Sequence, residues 1–397
     1  MEQNSLVSNL ADGSTGRIAV VDGLRGTAIL VVMLLHFAMM RPTGDGEVLF
    51  VALLETGWIG VDLFFVLSGF LITGILWDAR GGDGFFRRFY ARRTLRIFPL
   101  YYAFLFVVLI IFPALFEHYS AEHTGADQRI WLWTYLGNVL MARDGWEGMP
   151  SHTTHLWSLA VEEQFYLIWP LFVFFLSRRA MIGTCLAILA LSPLVRLGID
   201  MVMPNGVASY TLLPARLDGL ALGGLIALAI RGKHSLPVLG RSGRRMLLVG
   251  GAGLLLLIAF GQWTGWKELL PALNRDVQLA GYSLVALLFG GLLLHSLATP
   301  EGSRLHRLLS SRILQSFGKY SYGLYLFHVP LRNVIRERVA LAGGLPRLGG
   351  SEVPAQAVLF LGAIGLTWVV AVGSWHVYEK HWLGLKRLVP YDHEPKG

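Results

Sequence analysis

Along this 397-residue chain the apolar positions come in long unbroken runs. Soluble helices are apolar on one side only, and half-buried strands alternate. Ten runs have the length of a bilayer-crossing helix, which needs roughly 17–25 apolar residues. They cover 18–40, 58–76, 97–116, 160–177, 181–199, 213–230, 246–262, 277–297, 320–338 and 354–376. A further run, 130–142, has only 13 residues. It predicts an interfacial or re-entrant helix, with Trp131, Trp133 and Tyr135 at headgroup level. The pattern therefore predicts an all-α, polytopic membrane protein with about ten transmembrane helices in one bundle. Its transmembrane domain covers 18–376, between polar tails at 1–17 and 377–397. Gly219 and Gly223 predict a close helix contact in the sixth span.

Composition sharpens this picture. Charged residues make up 15% and hydrophobic ones 54%, against about 25% charged in soluble domains. The net charge of +8 would suggest nucleic acid in a soluble protein. With the N-terminus inside, however, 22 of the 34 Lys and Arg fall in cytoplasmic segments, six in external ones and six within spans. That bias follows the positive-inside rule, so both termini are expected in the cytoplasm, with a lipid bilayer and no nucleic acid as partner. The tail 1–17 does not read as a signal peptide. The single cysteine, Cys185, excludes a disulfide framework and cysteine-rich zinc sites, and no metal site is expected. GxSxG, P-loop, GxGxxG and HExxH motifs are absent. The excess of Arg over Lys, 28 to 6, fits a GC-rich bacterial genome.

Ionisable residues inside apolar helices are costly and mark function by default. The first span carries Asp22, Arg25 and His36. His36 lies eleven positions after Arg25, about 20° round the helix and about 16 Å along it. Asp22 is placed to pair with Arg25. A structural ion pair with a hydrogen-bonded histidine is the bland alternative. The fourth span opens with His155, Ser158, Glu162, Glu163, Tyr166 and Trp169, where a glutamate beside a histidine would set the tautomer a general base needs. An acidic helix N-terminus explains the same residues without function. At the mouth of the third span, Arg88, Arg92 and Arg96 repeat at i+4 beside Arg87 and Arg93. They suit anionic lipid and a polyphosphate ligand alike, and Pro99 is expected to weaken the helix just beyond them. Arg216 and Asp218 begin the sixth span and His328 lies in the ninth. Arg196 and Asp200 have the spacing of a structural i+4 pair.

Several blocks resemble the acyltransferase-3 family of integral membrane O-acyltransferases, which includes O-antigen and other surface-polysaccharide O-acetyltransferases. VDGLRGTAILVVMLLHF carries an arginine and a histidine separated by ten residues, Arg25 and His36. GWIGVDLFFVLSGFLITGIL carries Asp62 and Ser68, and FYARRTLRIFPLYY, HLWSLAVEEQFYLIWP, RLDGLALGG and SYGLYLFHVPL follow in order. The resemblance runs from about residue 18 to 376. It implies transfer of an acyl group, usually acetyl, from cytoplasmic acyl-CoA to a hydroxyl of a carbohydrate such as a cell-surface polysaccharide or lipid-linked glycan, in a bacterial inner membrane. Acetyl-CoA would be a co-substrate, with no permanently bound cofactor. Some relatives carry a C-terminal periplasmic domain, so a separate periplasmic transferase is an expected partner.

On this resemblance His36, held by Glu162 or Glu163, is expected to act as general base. Arg25, paired with Asp22, would orient the site or stabilise an oxyanion. Arg92, Arg93 and Arg96 would hold coenzyme A phosphates. Asp62, Ser68, His155, Tyr166, Arg216, Asp218 and His328 would line the site. An acyl-His36 intermediate is an alternative chemistry, and a macrolide or other small hydroxyl compound an alternative acceptor. A transporter or flippase is the rival from another class.

Overall fold

A computed structural model describes residues 19–115 and 126–390. The expected tail 1–17, the loop stretch 116–125 and residues 391–397 of the tail 377–397 lie outside the described residues. Among the described residues there is no strand, only an isolated bridge between Leu348 and Ser351.

The helices follow the apolar runs. α1 is Ala19–His36; α2 (Asp45–Glu55) leads through a short turn into α3 (Ile59–Asp78). α4 (Phe85–Phe106) continues as a π turn, and α5 (Ala126–Trp133) and α6 (Gly137–Asp144) are two short helices. α7 (Leu156–Phe175), α8 (Arg178–Val202), the short α9 (Val207–Thr211), α10 (Leu213–Ile230), α11 (Leu236–Thr264) and α12 (Tyr282–Leu297) come next. α13 (Arg304–Leu309) and α14 (Arg312–Lys319) precede α15 (Ser321–Leu341) and α16 (Val353–Ser374). Nine helical segments among the described residues are long and apolar enough to cross a membrane. The expected ninth span, 320–338, is present as the 21-residue α15, but Arg332, Arg336, Glu337 and Arg338 make its second half too polar to count with the others.

Helix starts run ahead of the apolar windows. α4 begins at Phe85, not 97, and α11 at Leu236, not 246, because arginine is a good helix former and carries the helix out of the apolar zone. α4 also runs through Pro99 without a break. Tyr322 and Tyr378 donate hydroxyl hydrogen bonds to Ile97 O and Pro99 O across this stretch. The run 130–142 is split between α5 and α6, with Tyr135 at a positive φ of 56°. Neither piece spans a bilayer.

α3 and α10 cross at Gly69 and Gly223 with almost no room between backbones. A Cβ on Gly223 would stand 2.0 Å from Val66 O, and one on Gly69 would stand 1.9 Å from Leu220 O. The close contact expected of the sixth span thus centres on Gly223. By contrast, α8, α11 and α16 turn apolar side chains outward; Leu256 and Leu361 are 72% and 78% exposed. Such a surface belongs in lipid, and the chain is a multi-pass membrane protein.

Candidate active site

Two cavities are stacked along α1. The first, about 110 Å³, is lined by Arg25 of α1, Ser68 of α3, Arg93 and Arg96 of α4, Glu162 and Tyr166 of α7, and Ser321 and Tyr325 of α15. Arg25 donates from Nη2 to Ser321 Oγ at 2.9 Å. Ser68 Oγ and Tyr166 OH share a 2.5 Å hydrogen bond. The Arg93 guanidinium lies over the Tyr166 and Phe89 rings, 5.8 and 5.7 Å from their centroids. Three guanidinium groups against one carboxylate give a site suited to phosphate oxygens. Arg92 points elsewhere, donating from Nη1 to Val389 O at 3.0 Å, because its neighbour Arg93 is 100° away on the helix.

The second cavity, about 310 Å³, is lined by His36 and Leu35 of α1, Glu55, Trp58, Trp146, His155, Trp157, Tyr210, Glu268 and Tyr325, among others. His36 Nδ1 lies 2.9 Å from Val32 O. A carbonyl oxygen only accepts, so Nδ1 carries the proton and Nε2 keeps its lone pair. That is the tautomer of a general base. Its ring meets His328 edge-on at 4.8 Å between centroids, and His328 meets His155 at 5.1 Å. His328 Nδ1 lies 2.7 Å from Tyr325 O, so its Nε2 is unprotonated by the same argument.

This corrects two expected pairings. Neither glutamate hydrogen-bonds His36 among the described residues; the backbone of its own helix, one turn back, sets its tautomer. The reason is axial. His36 closes α1, whereas Glu162 lies about 9 Å along α7 from its first residue, in the other cavity. Glu163, one step round the helix, does not line that cavity. Arg25 reaches Ser321, and no Arg25–Asp22 ion pair forms among the described residues.

Tyr325 lines both cavities. Its hydroxyl donates to His155 O at 2.6 Å and lies 2.5 Å from Ser158 Oγ. It therefore stands as a septum between the arginine side and the histidine side.

A family model described as an acyltransferase domain matches residues 18–372. The chain belongs to this acyltransferase family. It is 30% identical to the peptidoglycan O-acetyltransferase OatA of Listeria monocytogenes over 78% of this chain and 49% of that protein. It is 28% identical to the O-acetyltransferase OatA of Staphylococcus aureus over 78% of this chain and 50% of that protein. YrhL of Bacillus subtilis is 30% identical over 91% of this chain and 54% of its own length. The chain thus spans about half the length of the curated relatives it matches. No solved structure matches it.

Within this family domain the remaining expected site residues lie behind the cavities. Asp62 and Arg216 form an ion pair at 2.8 Å, 2% and 1% exposed. The Arg216 guanidinium lies 4.0 Å from the Tyr282 centroid, 5.4 Å from that of Tyr210 and 5.9 Å from that of Trp157. Asp218 accepts from Arg196 and from Ser283 Oγ, both at 2.8 Å. Arg196 is therefore not paired with Asp200 as its spacing suggested. It faces α10 from a fully buried position, and Asp200 pairs with Arg275 at 3.1 Å. Sequence reasoning missed Tyr325, Ser321, Trp58, Trp146, Trp157, Glu55 and Glu268. Tyr325 carried a readable signal, three residues before His328 on one helix face. Trp58 and Trp146 lie in short turns and Trp157 in the first turn of α7, too far apart in sequence for any spacing to connect them.

Proposed function

We propose that the chain is a membrane O-acyltransferase that moves an acetyl group from cytoplasmic acetyl-CoA to a hydroxyl of a cell-surface carbohydrate. The observation that carries this reading is the pair of cavities on one helix, arginine-rich around Arg25 and imidazole-lined around His36. Arg93 and Arg96 bind the donor's phosphates. The lone pair on His36 Nε2 takes the acceptor hydroxyl's proton as its oxygen attacks the thioester carbonyl carbon. The C–S bond then breaks, and the coenzyme A thiolate leaves and takes up that proton. The relatives' printed names, peptidoglycan O-acetyltransferase and O-acetyltransferase, support a glycan acceptor. The bias of Lys and Arg toward segments such as 77–96 supports a cytoplasmic mouth for the arginine cavity.

The test is acetyl transfer from labelled acetyl-CoA by protein in lipid nanodiscs. His36→Ala is expected to lose about 100-fold or more in turnover, the usual worth of a general base. A folded His36→Ala protein with parental turnover would overturn the assignment.

A further inference from the structure

The second cavity is more than the place where His36 sits. Its wall is aromatic: Trp157 and Tyr210 have centroids 4.6 Å apart, Trp146 and Tyr210 5.8 Å, and Trp58 and Tyr210 6.4 Å. Trp58 is fixed by a 3.0 Å hydrogen bond from Nε1 to Leu270 O, and Trp157 is buried. Two exposed carboxylates, Glu55 and Glu268, line the same cavity, and neither has an ion-pair partner among the described residues. His155 is 3% exposed and lines the cavity, and neither ring nitrogen makes a well-aligned hydrogen bond, its one backbone neighbour within reach being Leu326. A neutral imidazole offers one donor and one acceptor, the complement of a hydroxyl. A buried polar ring without a well-aligned partner is costly, and a ligand hydroxyl would satisfy it.

These features select one ligand chemistry. Flat aromatic rings cover the C–H face of a sugar ring, while acceptor-only carboxylates take hydrogen bonds from its edge hydroxyls. Unpaired carboxylates repel an anionic headgroup. At about 310 Å³ the cavity falls at the lower end of small-molecule sites, about 300–1,000 Å³. We propose that this cavity is a pyranose subsite, in which Trp58, Trp146 and Trp157 form the stacking wall, Glu55 and Glu268 orient hydroxyls, and His155 holds the one beside His36. The identification of that sugar as the acceptor rests on the acyltransferase reading above; the subsite itself does not.

The test uses the full chain in lipid nanodiscs free of glucoside and maltoside detergents, whose headgroups are themselves pyranoses. The probe is chitotetraose, a neutral β-linked pyranose oligomer, followed by tryptophan fluorescence and titration calorimetry without acetyl-CoA. Saturable binding is expected. It should weaken about tenfold in Trp146→Ala, the upper range for one aromatic pair. It should weaken comparably in the isosteric double variant Glu55→Gln/Glu268→Gln, which keeps the result readable if Trp146→Ala fails to fold. No saturable binding to the parent up to about 10 mM, or equal binding by parent and variants, overturns the subsite. Acetyl-CoA consumption is measured separately on the same nanodiscs. Consumption without sugar binding overturns the subsite and leaves the acyltransferase reading standing. Variant-sensitive binding without consumption does the reverse.

Discussion

Replacing Gly223 by alanine tests whether the α3–α10 crossing holds the buried ion pair behind the site. The new Cβ would stand 2.0 Å from Val66 O and 2.6 Å from Phe70 N, and ordinary contact begins at 3.4 Å. Both atoms are backbone, so no side-chain rotation relieves the clash. The two helices must part by about 1.4 Å at this point, the difference between those separations. Asp62 and Arg216 each lie seven residues earlier on the same two helices, two turns or about 10 Å away. A rigid displacement of that size would stretch their 2.8 Å contact to about 4.2 Å, beyond ion-pair range. Overpacking costs about 1–3 kcal/mol. Losing a buried pair costs about 3–5 kcal/mol when a charge is left unpaired, of which a stretched pair forfeits part. The total is about 3–5 kcal/mol.

Thermal unfolding in nanodiscs, followed by tryptophan fluorescence, is the assay. The expected fall is about 6 °C or more, at about 2–4 °C per kcal/mol. Gly183→Ala in α8 is the control, since its Cβ would meet nothing within 4 Å; better helix propensity should leave it at least as stable as the parent. A Gly223→Ala protein that melts within about 2 °C of the parent would refute the reasoning, because the backbones would then not be in the contact described.

Three further outcomes are expected. Tyr325→Phe removes the hydroxyl that binds His155 O and Ser158 Oγ; it should cost about 1–3 kcal/mol in unfolding and let water reach the thioester, read as acetyl-CoA consumed without matching acetylated product. Arg93→Gln should raise the KM for acetyl-CoA about tenfold, the worth of a charge-assisted hydrogen bond, with a smaller rise for Arg92→Gln, whose side chain reaches Val389 O. Arg216→Leu alone should destabilise by about 3–5 kcal/mol, and adding Asp62→Leu should recover part of that loss in a double-mutant thermal melt, because the uncompensated carboxylate is then gone.

The spans were legible because the need for about 20 apolar residues is local to each stretch of sequence. α15 was read from its apolar run as well, although the charges of its second half leave it more polar than the others. The candidate site was legible only as residue types. Arg25 and His36 share a helix face, which suggested one site, but the 16 Å between them along the axis places them in separate cavities. Glu162 and Glu163 looked interchangeable, yet one 100° step puts only the first in the arginine cavity. The partner of Arg216 lies 154 residues away, and no spacing rule reaches that far. The tautomer of His36 could have been read, since Val32 is four residues back on its own helix.

The septum also bears on which class of machine this is. A transporter exposes one central site to each side in turn by rocking one half of the protein against the other. Here α1 itself carries Arg25 toward one cavity and His36 toward the other, so rocking one half against the other cannot bring them together. What separates them includes the ring of Tyr325, held by two hydrogen bonds to α7 and its entrance. On the proposed reaction only the thioester end of the donor has to pass that ring, while its phosphates stay at Arg93 and Arg96 and the acceptor stays at His36. Each substrate then remains on its own side and the acyl group alone crosses. The helices that bury Asp62 and Arg216 between them can then stay in contact throughout.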